Sequence, residues 1–212
     1  MGSTDQEMTE GKRMQISFDE ELSGLKEKIL LMGSKVEEAI RLAMKSLVDR
    51  DSKLARQVIQ SDRDINDLEI EVDEICHRLL ALHQPMAGDM RFITSAMKIN
   101  SDLERMGDLS VNIAERALTL NEVAPLKPFI DIPRLATIAQ EMVKVALDSL
   151  VNRDAVAAKK VCERDDEVDN LNDQIIRLPS DFKKTVIPLG VIIPQRGQVL
   201  EKSGLHDLLA PD

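Results

Sequence analysis

The sequence predicts an all-α protein made of a tandem repeat of three-helix bundles, with an incomplete second bundle and an irregular C-terminal tail. Three observations lead to this prediction. Prolines between residues 22 and 178 fall in only two places, apolar residues recur at spacings of three and four, and the chain matches itself at an offset of 103 positions. No alternating run of β-branched residues before residue 185 indicates a sheet.

Length, charge and composition exclude several classes of protein. The 212 residues carry a net charge of −10 and include no Trp or Tyr, so the chain lacks the basic surface and stacking aromatic rings of a typical nucleic-acid-binding protein. No apolar run is long enough to span a membrane, and the first residues lack the apolar core of a signal peptide. The two cysteines are far apart, which is not a disulfide framework. We therefore expect a cytoplasmic protein that does not insert into membranes.

The first two helices are predicted at residues 18–49 and 52–83. The tight turn between them offers Asp51 or Ser52 as the N-cap of the second helix. Each helix carries one apolar stripe, which indicates antiparallel packing in a bundle. The stripe of the first helix consists of Leu22, Leu25, Ile29, Met32, Val36, Ile40 and Leu47, and that of the second consists of Ile65, Leu68, Val72, Ile75, Leu79 and Leu82.

Three further helices are predicted at residues 87–121, 133–152 and 154–177. Pro85 separates the second helix from the third, and a group of three prolines at 125, 128 and 133 separates the third from the fourth. The core side of the third helix should be formed by Ile99, Leu103, Met106, Ile113 and Ala117.

An internal repeat divides the chain. Residues 43–75 align with residues 146–178 without a gap, and ten of these 33 positions are identical. The shared Leu-Val-x-Arg-Asp segment, at 47–51 and 150–154, is not explained by helical periodicity. We predict a first three-helix repeat at 14–124 and two helices of a second repeat at 131–177. Residues 1–13 are expected to be a tag or a disordered leader, and residues 178–212 a divergent tail.

The third predicted helix carries a stripe of polar side chains. Glu104, Asp108, Asn112 and Glu115 lie within about 80° of one another around the helix axis. Oxygen ligands of this kind suit Mg²⁺, Mn²⁺ or iron ions. Judged by residue types alone, a solvated acidic surface is the simpler interpretation, and a bundle with no metal is a second alternative.

A different class of function is a carboxylate-bridged di-iron enzyme. The second helix contains a Glu-x-x-His sequence from Glu74 to His77, which ferritin-like bundles place on their inner face. Here Ile75 and Leu79 mark the core side, so His77 is expected to point outward. Nothing else in the sequence gathers several imidazoles around a metal ion.

The chain resembles the PhoU family of bacterial phosphate-uptake regulators over about residues 14–177. The resemblance begins at Phe18-x-x-Glu21-Leu22, continues through Met32-Gly33-x-x-Val36-Glu37 and includes both Leu-Val-x-Arg-Asp segments. Its most specific part runs from Arg91-Phe-Ile-Thr-Ser-Ala-Met-Lys-Ile through Asp102-Leu-Glu-Arg-Met-Gly-Asp108 to Asn112-Ile-Ala-Glu115.

The resemblance implies a fold, a function and a site. Family members are cytoplasmic, commonly homodimeric and built from two three-helix bundles, and they are not known as enzymes. They work with the Pst phosphate ABC transporter and a phosphate-sensing histidine kinase, and they restrain the phosphate-starvation (Pho) response. The family's metal-binding Glu/Asp-x-x-x-Asp motif corresponds here to Glu104 and Asp108, with Asn112 one turn further, and the ions would be Fe, Mn or Mg. Arg91 and Arg105 are candidate partner-binding residues.

The tail departs from the family pattern. A second repeat should end in a third helix with its own Glu/Asp-x-x-x-Asp motif, but residues 178–212 hold four of the eight prolines, and Leu205 stands where the second acid should be. Our hypothesis is a frameshifted or altered tail, with natural divergence as the alternative, and the coding DNA would decide between them. We expect the second metal site to be absent and the apolar stripe of helices 133–177 to be exposed.

Overall fold

A computed structural model describes residues 2–124 and 131–176, and these form five α-helices with no strand among them. The helices are α1 (Gly2–Val48), α2 (Ser52–Leu82), α3 (Ala87–Asn121), α4 (Asp131–Asn152) and α5 (Ala155–Ile176). The predicted all-α class is therefore confirmed. Within these residues, no helix has an apolar stretch that could cross a membrane.

The first three helices pack against one another around a single core, and α4 packs against both α1 and α5. All seven predicted stripe residues of α1 are buried. The fully buried side chains at the centre of this core come from all three helices and include Phe92, Leu25, Ile29, Met32, Leu79 and Ile113. Burial of this many large apolar side chains, at about 1.5–3 kcal/mol each, is the main force that holds the first bundle together.

The buried face of α2 differs from the predicted one near its C-terminal end. Cys76 is fully buried, whereas Ile75 is only partly buried and Leu82 is 65% exposed. The prediction assumed strictly alternating steps of three and four. A straight helix has 3.6 residues per turn, so its buried face drifts, and here it takes two successive steps of four through Val72 and Cys76.

Helix α1 begins at Gly2, so residues 2–13 are helical, and the expectation that residues 1–13 are a tag or a disordered leader stays a prediction. This segment contains no proline, and its Glu, Gln, Met and Lys residues have high helix propensity. Gly2 and Gly11 lower that propensity without interrupting the hydrogen-bonding pattern.

The internal repeat recurs as two corners with the same backbone structure. Arg50 and Arg153 both have positive φ, at 56° and 53°. The amide of the following aspartate donates to a serine carbonyl five residues back in each corner. Asp51 caps α2 by accepting from two backbone amides, and Asp154 caps α5 in the same way. Of the two predicted cap residues, Asp51 is therefore the cap of α2.

The hairpin of α4 and α5 has a small apolar cluster of its own. The expected exposure of this stripe is wrong, because its members are buried: Leu135, Ile138, Met142, Val161, Val168 and Leu171. The predicted divergent tail at 178–212 and the second acidic motif lie outside the described residues.

Candidate functional site

Helix α3 presents the predicted acidic pair at the surface of the first bundle. The helix starts after Pro85 and continues to Asn121, and its apolar side faces the core. Glu104 is partly buried and Asp108 is exposed, because each directly follows a buried residue and is rotated about 100° away from the core face. The two side chains lie close together, and a side-chain hydrogen bond with Asp108 is one of the causes that raise the pKa of Glu104.

Two acids of α2 complete an acidic seam along the boundary between α2 and α3. The charge of Asp108 acts on Asp62, and the charges of Asp62 and Glu69 act on Glu104. Gly107 of α3 lies against Ile65 and Asp62 of α2. A Cβ atom added there would lie 3.5 Å from Asp62 Oδ1 and 3.1 Å from the Cδ1 atom of Ile65. We call Asp62, Glu69, Glu104 and Asp108 the carboxylate seam.

Two acids of the carboxylate seam, Glu104 and Asp62, are in surroundings that disfavour their charged forms. Burial is the largest cause of a raised pKa at Glu104, and the charges of Asp108, Glu69 and Asp62 raise it further. Burial also raises the pKa of Asp62, followed by the charge of Asp108, while a hydrogen bond from Asn66 lowers it. A bound cation would offset this repulsion.

The seam has the chemistry of a site for a hard divalent cation. Asp62 Oδ1 is buried and has no hydrogen-bond partner, so this oxygen atom is available to bind a cation. Among residues 2–124 and 131–176, however, no three potential ligand side chains converge tightly enough to enclose an ion. One or two of these carboxylates could hold an ion such as Mg²⁺ or Mn²⁺ only if that ion kept several water ligands.

The other predicted site residues lie along or beside this seam. Asn112 is exposed one turn beyond Asp108, at the outer end of the predicted stripe. Arg91 and Arg105 are both exposed on α3, where a partner could contact them. They lie about four turns apart along the helix, so they do not form one cluster.

The Glu-x-x-His sequence of α2 does not face the core. Glu74 and His77 are both exposed, whereas the neighbouring Cys76 is buried. The outward orientation predicted for His77 is confirmed. A di-iron enzyme needs inward-facing ligands from several helices, and no described residue supplies such a set.

Sequence reasoning missed the contribution of Asp62 and Glu69 to the site. It treated the acids of α2 as an ordinary solvated surface. One signal was present, because Asp62 is matched in the repeat by Asp165. Burial also raises the pKa of Asp165, so the two equivalent positions share an environment.

Comparison with known proteins places the chain in a family. A sequence model of the PhoU domain matches residues 29–117 and again residues 132–182. The chain is 45% identical over 157 residues to the phosphate-specific transport system accessory protein PhoU homolog of Aquifex aeolicus, a match that covers 74% of this chain and 71% of the relative. It is 39% identical over 195 residues to the Pseudomonas aeruginosa homolog of the same name, covering 89% and 80%.

Solved structures agree with the sequence matches. The crystal structure of PhoU from Pseudomonas aeruginosa has a TM-score of 0.76 at 33% identity and covers 91% of this chain and 96% of that chain. The phosphate transport system regulatory protein PhoU from Streptococcus pneumoniae has a TM-score of 0.69 at 29% identity, with 91% and 88% covered. Domain model, sequence relatives and structures thus agree, and the chain belongs to the PhoU family.

Proposed function

We propose that this protein is a non-enzymatic accessory regulator of the phosphate-specific transport system and a negative regulator of the phosphate-starvation response. The observation that carries the proposal is the PhoU domain present twice in the chain, together with 45% identity to a PhoU homolog. The partners would be a Pst-type phosphate ABC transporter and its phosphate-sensing histidine kinase. The protein would act in the cytoplasm, as a homodimer.

The mechanism we propose is docking of the helical surface against these two partners. The carboxylate seam lies on the outside of the first bundle, where a partner can reach it. A bound divalent cation would neutralise the repulsion among Asp62, Glu104 and Asp108 and so hold both helices in one arrangement. Glu104 and Asp108 would bind the ion, and Asn112 would extend the oxygen surface by one turn. The net charge of −10 would favour basic surfaces on the partners.

Complementation tests the regulatory function. The chain is expressed in a bacterium that lacks its own PhoU protein, and a phosphate-starvation promoter drives a reporter. In phosphate-rich medium we expect the chain to lower reporter activity toward the wild-type level, relative to the empty vector. If the soluble chain accumulates and reporter activity stays fully derepressed, the proposed function is wrong.

Metal binding is tested separately on the purified protein. We expect the wild type to bind Mn²⁺ or Mg²⁺, or to retain iron, when its metal content is measured by plasma mass spectrometry. The double variant Glu104→Gln/Asp108→Asn should lose this metal. The control Asp67→Asn/Glu74→Gln removes the same charge from exposed positions of α2 and should keep it. Equal metal content in the two double variants would contradict a site at Glu104 and Asp108.

A further inference from the structure

Asn100 differs from the buried residues Ser46, Ser110 and Ser149 in where its side chain donates. It is only 1% exposed, and it is the only side-chain amide among the buried residues that the structure describes. The hydroxyls of Ser46, Ser110 and Ser149 donate to carbonyls of their own helices. The amide of Asn100 instead donates across the boundary between two helices.

Both hydrogen bonds of Asn100 go to α2. Its Nδ2 atom donates to the backbone carbonyl of Glu69 at 2.8 Å and to Asp73 Oδ1 at 3.3 Å. These two acceptors lie one helical turn apart, so the amide contacts α2 at two points. A slide of one helix along the other would break both bonds and leave the amide buried without partners. Buried polar groups of this kind can specify helix register.

The carboxylate seam depends on this register. Asn100 lies one turn before Glu104 on α3, and Glu69 both accepts from Asn100 and lies near Glu104. Gly107 on the next turn fits against Ile65 and Asp62. A slide of one turn, about 5.4 Å, would take Glu104 and Asp108 away from the acids of α2.

The amide is retained in spite of a cost. Asn100 Oδ1 is buried without a hydrogen-bond partner, which is unfavourable for stability. An apolar residue of similar volume would avoid that cost and would still fill the core. The presence of the amide is therefore better explained by specificity of packing than by stability.

We propose that Asn100 is a positioning residue that fixes the register of α2 against α3 and so holds the carboxylates of the two helices opposite each other. The part of this inference that concerns metal binding rests on the proposed function. The part that concerns register does not rest on the proposed function, because the distance between labels on α2 and α3 measures the register directly.

The test compares Asn100→Leu with the control Ser110→Ala, which removes a buried hydroxyl bonded only within α3. Spin labels at Gln57→Cys and Thr94→Cys, both exposed, report movement of α2 along α3. Cys162 is replaced by Ser, and Cys76 stays unlabelled because it is buried, which raises its pKa to about 12. Melting temperature and Mn²⁺ affinity are measured on the same proteins.

We expect Asn100→Leu to fold with a melting temperature at or above that of the wild type. Its label distance should broaden or shift by about 5 Å, the pitch of one turn. Its Mn²⁺ affinity should fall at least tenfold, as it does when groups that orient metal ligands are lost. Ser110→Ala should match the wild type in distance and affinity.

A wild-type distance distribution in Asn100→Leu would overturn the proposal, whatever its metal affinity. If the wild type itself binds no Mn²⁺, the proposed metal site fails while the distances still decide the register. If Asn100→Leu does not fold, Asn100→Ser is measured instead, since a serine there can bond to its own helix as the other buried serines do. If neither variant folds, Asn100 is a general packing residue and the proposal is wrong.

Discussion

At the scale of single residues, the carboxylate seam is a local conflict within a well-packed bundle. Glu104 and Asp108 are one turn apart on α3, and like charges at this spacing destabilise a helix by about 0.2–0.5 kcal/mol. Asp62 adds a third charge from α2 and has a buried oxygen without a partner. A set of groups that repel one another and lack ligands is typical of functional positions.

The pH dependence of stability should report this conflict. Burial and neighbouring charges raise the pKa of Glu104, so the folded protein binds this proton more tightly than the unfolded chain does. The stabilising contribution of the proton is fully present below the ordinary pKa of 4.5 and is lost as pH rises through the raised value. Without metal, Glu104→Gln should therefore be more stable than the wild type at pH 7.5, by about 0.2–0.5 kcal/mol, because one like-charge pair is removed.

Urea denaturation in EDTA at pH 7.5 and pH 5.0 checks this prediction. The advantage of Glu104→Gln should shrink at the lower pH, where a larger fraction of the wild-type carboxyl carries its proton. Glu115→Gln, at an exposed position of the same helix, serves as the control and should show no such change. An advantage that stays constant with pH would show that Glu104 is not repelled by its neighbours.

At the scale of helices, the two repeated corners show how one short sequence ends one helix and starts the next. The arginine has a left-handed backbone conformation, which costs a non-glycine residue about 1 kcal/mol. The aspartate that follows offsets this cost because its carboxylate accepts from two otherwise unpaired backbone amides of the next helix. The corner is thus a helix stop followed directly by a helix start.

Removal of either cap should destabilise the protein. We expect Asp51→Ala and Asp154→Ala each to lower the free energy of unfolding by about 1 kcal/mol, because two amides at a helix N-terminus lose their acceptor. Chemical denaturation measures the loss. Asp49→Ala, an exposed position in the first corner, should change stability by less than about 0.5 kcal/mol. An equal loss in Asp49→Ala would mean that charge, and not capping, explains the effect.

At the scale of the whole molecule, the second hairpin is joined to the first bundle through α1 and α4. The joint is close-packed at Gly33, which faces Leu147 of α4. One turn along α1, the backbone carbonyl of Glu37 accepts a hydrogen bond from Gln140 of α4 at 2.8 Å. Arg153 adds a contact at the other end, where it donates to Asp89 Oδ1 at 2.7 Å.

A pair of glycine substitutions tests how tightly this joint is packed. A Cβ atom at Gly33 would lie 2.1 Å from Leu147 Cδ1, whereas nothing lies within 4 Å of one at Gly24. Gly24→Ala should therefore stabilise the protein by about 0.5–1 kcal/mol through helix propensity. Gly33→Ala should destabilise it by about 1 kcal/mol, because the buried Leu147 must move. The melting temperature should rise in Gly24→Ala and fall in Gly33→Ala. A higher melting temperature in Gly33→Ala would mean that the joint is loosely packed.

Much of this fold follows from local pattern, and much of the site does not. The positions of α2 to α5, the buried stripe of α1 and the Asp51 cap depend on residues near one another in sequence, so they could be predicted. The burial of Cys76 in place of the predicted Ile75 depends on how far the buried face of the helix drifts over several turns. The partnership of Glu104 with Asp62 and Glu69 depends on the register of α2 against α3, which contacts such as Asn100 with Glu69 determine. No periodicity within one helix contains that information.

Arg50 and Arg153 occupy equivalent corners, yet their guanidinium groups reach different targets. Arg50 donates to the carbonyls of Leu120 and Val123 at the end of α3, within its own repeat. Arg153 extends to the start of α3 and lies over the Phe92 ring, 5.9 Å from its centroid. The two equivalent arginines therefore have different structural roles: Arg50 ties the end of α3 to its own repeat, and Arg153 links the second repeat to the first.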